Sequence, residues 1–342
     1  MRLPRSRGPV TERLFEALAR PPRDGAPRIP DPDSPGVAAL ADEDLQLALH
    51  VCYELHYCGF DGVDDAWEWD PGLLAARAAL EARFEGALGA LVAGSAPEGF
   101  ESAAPPGVPA ALAALVRADG GGPSLAAFLR RHADLGHYRE FAVHRSVYHL
   151  READPHTWGI PRIRGRAKAA LVEIQSDEYG EGNPDRMHSA LFAAAMRGLG
   201  LDDGYGAYLD AVPGVTLAVS NTMSFFGLHR RRRGALLGHL AAFEMTSTGP
   251  NRDISLGLRR LGAEDRVRRY FDEHVEADAV HEQIAAHDMC GAFAADHPEL
   301  AADVLFGAAA CLAVDRLFAG HVIDRWKRGA TSLRPLRSLA PV

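Results

Sequence analysis

Cysteine is scarce in this sequence, and the few cysteines present follow no recognisable pattern. Only four occur among 342 residues, and they form neither a Cys-x-x-Cys pair nor a regular framework. This usage argues against structural disulfides and indicates a reducing, cytosolic setting. We expect Cys52 and Cys58, which flank an apolar stretch, to fill buried space rather than to bind a metal.

Long apolar runs are missing as well. No uncharged stretch reaches the ~18 residues of a membrane-spanning helix, and the basic N-terminal segment is not followed by the apolar region of a secretory signal. The net charge of -9 argues against nucleic-acid binding, which requires a basic surface. We therefore expect a cytoplasmic protein that binds neither nucleic acid nor membrane.

The alternation of polar and apolar residues that is typical of β-strands is also rare. Apolar residues recur instead at helical spacing, and glycine or proline separates the helical segments. We predict an all-α fold built around one helical core. The predicted helices cover residues 37–58, 72–94, 108–117, 123–132, 136–152, 162–179, 184–198, 213–249 with a break, 265–286 and 296–327.

The predicted organisation has three parts. Residues 1–36 carry much of the proline and are expected to form a flexible arm, with a short helix at Thr11 to Ala19. Residues 37–125 are predicted to form an N-terminal helical extension, and residues 126–330 the core. The sequence leaves open whether the extension is a separate domain.

One predicted helix carries three residues of metal-binding type on a single face. Steps of four and seven residues from His274 lead to Asp278 and His281, and they turn a helix by about 40° and −20°. The three side chains therefore project from one side, and two imidazoles with a carboxylate suit iron, manganese or zinc. The alternative is a solvated helix face, because several other acidic residues decorate the same helix.

A lone carboxylate, Glu244, is conspicuous in the mostly apolar stretch from Ala235 to Met245. Burial of an unpaired carboxylate costs several kcal/mol, so we expect Glu244 to have a partner, either an arginine or a metal. His239 lies five residues earlier on another helix face, and we interpret it as structural.

The stretch from 170 to 189 holds the remaining candidates, which are the histidine His188 and the carboxylates Glu173, Asp177, Glu178 and Glu181. Helical spacing does not select among the carboxylates. Ten residues separate Glu178 from His188, so the two cannot share a helix face unless the helix is interrupted. Gly180, Gly182 and Pro184 supply that interruption.

The order of these residues resembles that of the haem-oxygenase-like diiron oxidases and oxygenases, a family of iron-containing redox enzymes. The resemblance rests on Glu178 and His188 at a separation of ten, on the lone Glu244, and on the His-x3-Asp-x2-His set that begins thirty residues later. It covers about residues 140 to 327.

The resemblance implies a haem-oxygenase-like seven-helix bundle that binds two Fe(II) ions per chain, with O2 as co-substrate. Carried over by position, the ligands are Glu178, His188, Glu244, His274, Asp278 and His281. Members that oxygenate amine or guanidine nitrogens use one further upstream carboxylate, whose counterpart here is Glu152; the alternative for Glu152 is a surface position at a helix end. No catalytic residue beyond the ligands is implied, and the assignment of ligands to each metal, and of iron over manganese, stays open.

The resulting hypothesis is a diiron N-oxygenase of an amino acid or related amine in specialised metabolism. One alternative is oxidative C–C cleavage, as in decarboxylation or fragmentation of an amino or fatty acid. Another is a non-catalytic helical protein that binds or stores metal. The predicted partners are a small-molecule substrate, an external electron donor and a second copy of the chain in a homodimer.

Overall fold

The computed structural model describes residues 1–22, 29–30, 34–119 and 124–335, except for the side chains of Pro105 and of residues 276–280. Within these residues the regular structure is entirely helical, as predicted. The α-helices are α1 Pro9–Leu18, α2 Glu43–Glu54, α3 Pro71–Ser95, α4 Val108–Asp119, α5 Leu125–Arg131, α6 Leu135–His149, α7 Asp154–Thr157, α8 Gly165–Glu178, α9 His188–Gly198, α10 Gly214–Leu228, α11 Arg233–Arg260, α12 Asp265–Gln283, α13 Ala292–Asp296 and α14 Ala301–Lys327. A π-helical segment, Ile284–Gly291, joins α12 to α13.

The long helix α11 forms the centre of the bundle and packs against both α12 and α14. Gly238 of α11 permits the close approach to α14, because a Cβ there would lie 1.8 Å from the Val304 carbonyl oxygen. The helix continues through Pro250 to Arg260, beyond its predicted end at 249. Proline removes one backbone donor and tends to end a helix. Here Ile254 and Leu258 are buried in the following turns, and their packing outweighs this tendency.

The N-terminal segment is packed rather than loose over its described part, so the expectation of a flexible arm needs correction there. Val10, Leu14 and Leu18 recur at four-residue spacing on α1 and are buried. The Asp44 carboxylate of α2 accepts hydrogen bonds from the Val10 and Thr11 amides at 2.7 and 2.9 Å, and so caps α1. The domain boundaries near 36 and 125 remain predictions.

Helix α2 connects the N-terminal helices to the core by packing on α10. Asp42 caps its start, and the Asn221 side-chain amide of α10 donates to Gln46 Oε1 at 2.8 Å. Cys52 of this helix is buried, as predicted, but Cys58 lies beyond the helix end and is exposed. None of the described helices is long and apolar enough to cross a membrane.

Buried neutral histidines should make the metal-free fold sensitive to acid. His144 contacts Thr216 Oγ1 at 2.7 Å and Ser332 Oγ at 2.9 Å, and burial lowers its pKa to about 3. The unfolded chain protonates this histidine below pH ~6.5, whereas the folded chain does not do so until about pH 3. The contribution of His144 to the free energy of unfolding is therefore fully present above the unfolded pKa. Between that pKa and the folded pKa it decreases by ~1.4 kcal/mol for each unit by which the pH falls.

Urea unfolding at pH 4 to 7 measures this loss. The free energy of unfolding of the His144→Gln variant should decrease less steeply with falling pH than that of the wild-type chain. The two slopes should differ by ~1.4 kcal/mol per pH unit. Parallel curves for the two proteins would show that His144 does not carry the effect.

Candidate metal centre

The chain between α8 and α9 folds back so that the last residue of one helix and the first of the next face each other. Gly180, Glu181 and Gly182 all adopt positive φ, of 64°, 55° and 81°. A Cβ at Gly180 would lie 2.6 Å from the Met187 amide nitrogen, so the turn requires glycine there. The predicted interruption is confirmed, and it brings Glu178 within 2.9 Å of His188.

Six of the predicted ligands come together in two groups that share one carboxylate. The first group contains Glu152, Glu178, His188 and His274, and the second contains Glu178, Glu244 and His281. Within each group, one potential ligand atom per residue lies within 4.8 Å of all the others. All six side chains are buried. Asp278, the seventh predicted ligand, lies outside the side chains that the structure describes.

Three buried atoms of these groups form no aligned hydrogen bond with the described residues: Glu178 Oε2, His188 Nδ1 and His281 Nδ1. Glu178 Oε2 and His188 Nδ1 are close enough for a hydrogen bond, but they are not aligned for one. Buried polar atoms are rarely left unsatisfied, and a metal ion between converging lone pairs satisfies them. The residues therefore fit a bound metal.

Neighbouring groups select the nitrogen that each histidine of α12 presents. His274 Nδ1 donates to the Tyr270 carbonyl oxygen at 2.8 Å, which leaves Nε2 directed at Glu152, 3.7 Å from Oε1. His281 Nε2 lies 2.8 Å from Asp177 Oδ2, which leaves Nδ1 directed at Glu244, 3.3 Å from Oε2. A carbonyl or carboxylate on the far nitrogen is the usual arrangement for a metal-bound histidine.

Ion pairing holds protons where a metal would bind. Burial disfavours the charged His281 ring, but Glu244 and Asp177 outweigh this effect and raise its pKa to about 9. Burial likewise opposes the Glu152 carboxylate, yet His149 and His274 outweigh it and lower its pKa to about 2. Metal binding to His281 must displace the proton that its carboxylate partners stabilise, so binding there is coupled to proton release.

Glu152 lies in the turn after α6, buried and not at the surface. The Tyr270 hydroxyl lies 2.8 Å from each Glu152 carboxylate oxygen and 3.0 Å from His149 Nδ1. Ala153, the next residue, has a φ of 77°, which turns the chain sharply after Glu152. The surface helix-end alternative for Glu152 is therefore wrong.

A cavity of about 460 Å³ lies beside the two groups, a volume that suits a small organic ligand. Glu152, Glu178, Glu244 and His274 all line it. Along α11 its wall runs from Leu240 to Ile254, a rise of ~21 Å. Most of the remaining wall is apolar or aromatic, but it includes an ion pair between Arg145 and Asp315 at 2.9 Å.

Sequence reasoning missed the groups that hold the ligands in place. Asp177 was considered only as a ligand, and no spacing in the sequence points to Tyr270 or His149. The carbonyl contact of His274 is an exception, because the backbone carbonyl of the residue four positions earlier lies one helical turn away. His239 contacts His156 Nε2 at 3.2 Å and belongs to neither ligand group, which agrees with its interpretation as structural.

Loss of the Asp177 carboxylate should weaken metal binding without removing a ligand. Asp177→Ala frees the His281 ring to rotate and to change its tautomer, and such outer contacts are worth about 10- to 100-fold in metal affinity. Equilibrium dialysis of the protein against Fe(II) under anaerobic conditions measures the change. Asp177→Asn keeps an acceptor for His281 and should show a smaller loss; equal affinity in all three proteins would contradict this role.

The fold and the buried carboxylate–histidine groups define a helical-bundle metalloprotein whose ligand set suits iron. The family described as iron-containing redox enzymes matches residues 139–316, just over half of the chain. The chain belongs to this family, and it is accordingly an oxidoreductase.

One curated relative is the nitrosourea synthase of Streptomyces achromogenes subsp. streptozoticus. It is 26% identical to this protein over 136 residues, which are 40% of this chain and 29% of the relative. The similarity thus spans less than a third of that longer protein.

Proposed function

We propose that this protein is a non-haem diiron oxygenase that adds oxygen to a nitrogen atom of an amino acid or related amine. The observation that carries the proposal is the sharing of Glu178 by two ligand groups, the first of which includes the additional carboxylate Glu152. A carboxylate common to two groups is suited to bridge two metals, as in helical carboxylate proteins with dinuclear centres. The name of the nitrosourea synthase, which implies a product with a nitroso group, supports the same reaction class.

In this proposal the first iron is held by Glu152, Glu178, His188 and His274. The second is held by Glu178, Glu244 and His281, with Asp278 as a further predicted ligand. Bound Fe(II) supplies the electrons and the open coordination position at which dioxygen is activated, and an external donor restores those electrons.

The protein's own residues shape a cavity beside the proposed iron centre. Three buried carboxylates, those of Glu152, Glu178 and Glu244, line the cavity at its ligand end, and their charges offset those of the bound Fe(II) ions. Aromatic and apolar walls exclude water around the reacting nitrogen, which strengthens these electrostatic interactions. In N-oxygenation one oxygen atom enters the substrate and the other leaves as water.

The contact of Tyr270 with both Glu152 oxygens favours a second candidate function. If Glu152 stays bonded to the phenol after iron binds, six ligands remain, and the resemblance connects a six-ligand centre with oxidative C–C cleavage. The two functions share the iron centre and differ in the product.

The decisive experiment is a turnover screen of the Fe(II)-loaded protein with isotopically labelled dioxygen, a chemical reductant and a panel of amino acids, amines and fatty acids. Mass spectrometry distinguishes a labelled oxygen atom on nitrogen from loss of carbon dioxide or a shortened carbon chain. N-oxygenation of one amine confirms the proposal, and carbon loss supports the second candidate. Iron uptake without substrate-dependent oxygen consumption would instead indicate storage.

A further inference from the structure

A buried ion pair joins the N-terminal helices to the turn that carries Glu152. Arg151 Nη1 donates to Glu54 Oε2 at 2.8 Å, and the two side chains are only 5% and 0% exposed. Glu54 is the last residue of α2, far upstream of the core helices that supply the ligands. The pair therefore connects Glu54 of the predicted extension to Arg151, which immediately precedes Glu152.

Further contacts fix the orientation of this pair. The Tyr205 hydroxyl donates to Glu54 Oε2 at 2.8 Å, and Arg151 Nη2 donates to Ser220 Oγ at 2.9 Å. The guanidinium carbon of Arg151 lies 4.3 Å from the centroid of the Tyr57 ring, within the range of a cation–π contact. With hydrogen bonds and a ring face around it, Arg151 has little freedom to move.

The turn from Arg151 to Asp154 depends on such contacts for its shape. Ala153 adopts a φ of 77°, which residues with a Cβ rarely do, and surrounding structure must hold such a conformation in place. On the downstream side, Gln175 Nε2 donates to the Ala153 carbonyl oxygen at 2.8 Å, and the Tyr179 hydroxyl donates to Asp154 Oδ1 at 2.8 Å. On the N-terminal side of Ala153, the contacts of Arg151 restrain the turn.

Metal ligation tolerates deviations of only ~0.2 Å in ligand distance. The backbone of Arg151 is joined directly to that of Glu152, so the contacts that anchor the Arg151 side chain also restrain the neighbouring carboxylate. We propose that the Glu54–Arg151 pair positions Glu152, so that the iron affinity of the first ligand group depends on a residue of the N-terminal extension. The inference rests on the proposed two-iron centre, but it is independent of the substrate and of the reaction.

A double substitution separates this positioning role from a merely structural one. Glu54→Leu with Arg151→Met replaces the pair by apolar side chains of similar size, a change that buried ion pairs often tolerate without loss of stability. We expect a melting temperature close to that of the wild-type protein, but binding of the first-group iron weakened about tenfold or more. Anaerobic Fe(II) titration with equilibrium dialysis measures both sites without turnover.

The matched control is another Arg–Glu pair of the N-terminal helices. Arg7 Nη1 lies 2.6 Å from Glu43 Oε2, and the Arg7 side chain is 1% exposed, but neither residue adjoins a proposed ligand. Arg7→Met with Glu43→Leu should leave iron affinity unchanged. Arg151→Lys keeps the charge and is the milder substitution, so it should fold and weaken the first iron site to an intermediate degree.

The same double substitution in a Glu152→Ala background tests whether the effect passes through Glu152. If it does, removal of the pair should cause no additional loss of iron affinity there. Wild-type affinity in the double variant or in Arg151→Lys would overturn the proposal, and so would an equal loss with and without Glu152. A wild-type chain that binds fewer than two irons would overturn the two-iron centre and this role with it.

Discussion

Substitution of Glu178 by alanine should leave the protein folded but unable to retain either iron of the proposed two-iron centre. Glu178 is the one residue that belongs to both ligand groups, so its loss removes a ligand from each of them. Loss of an outer contact already costs up to ~100-fold in metal affinity, so the loss of a shared direct ligand should exceed that value at both sites. Iron analysis after anaerobic loading should fall from about two per chain to less than one.

The control for this substitution lies on the same helix. Glu173 is exposed on α8, and Glu173→Ala should bind as much iron as the wild-type protein. The melting temperature of metal-free Glu178→Ala should not fall far, because the substitution also removes the cost of a buried carboxylate. Two irons per chain in Glu178→Ala would refute the shared-ligand arrangement.

The helices could be predicted because they depend on short-range spacing, and two features of the candidate centre could be predicted for the same reason, whereas its full ligand set came from the family resemblance. His274 and His281 share a face of α12 through helical geometry alone. The return of the chain between Glu178 and His188 follows from glycines that interrupt the helix. Such features are local, and they are visible in a single sequence.

Other features of the centre depend on tertiary contacts and could not be predicted. Adjacent residues on a helix point ~100° apart, and spacing alone does not show which side of α8 faces the core. The family resemblance therefore had to select Glu178 over Asp177, and Glu178 is the buried one of the two. The burial of Glu152 depends on the positive φ of Ala153 and on Tyr270, more than a hundred residues away. Likewise, the start of α1 is capped by Asp44, a residue of another helix.

Substitution of Glu152 should distinguish the two candidate reactions. If Glu152 is a ligand of the first iron, Glu152→Ala should reduce N-oxygenation by more than ~100-fold, because the coordination of that iron changes directly. The second group contains no Glu152 and should still bind iron, so the metal content should fall by no more than one ion per chain. Single-turnover product analysis by mass spectrometry, together with iron analysis, measures both quantities.

Two further substitutions separate ligation by Glu152 from its packing against Tyr270. Glu152→Gln keeps the shape of the side chain and an acceptor for the phenol but removes the charge that a metal requires, so it should be nearly as inactive as Glu152→Ala. Tyr270→Phe removes the competing hydroxyl and leaves the carboxylate, so iron should remain bound. Full N-oxygenation by Glu152→Gln would mean that the carboxylate only packs against Tyr270, and it would reduce the proposed centre to six ligands without changing the reaction.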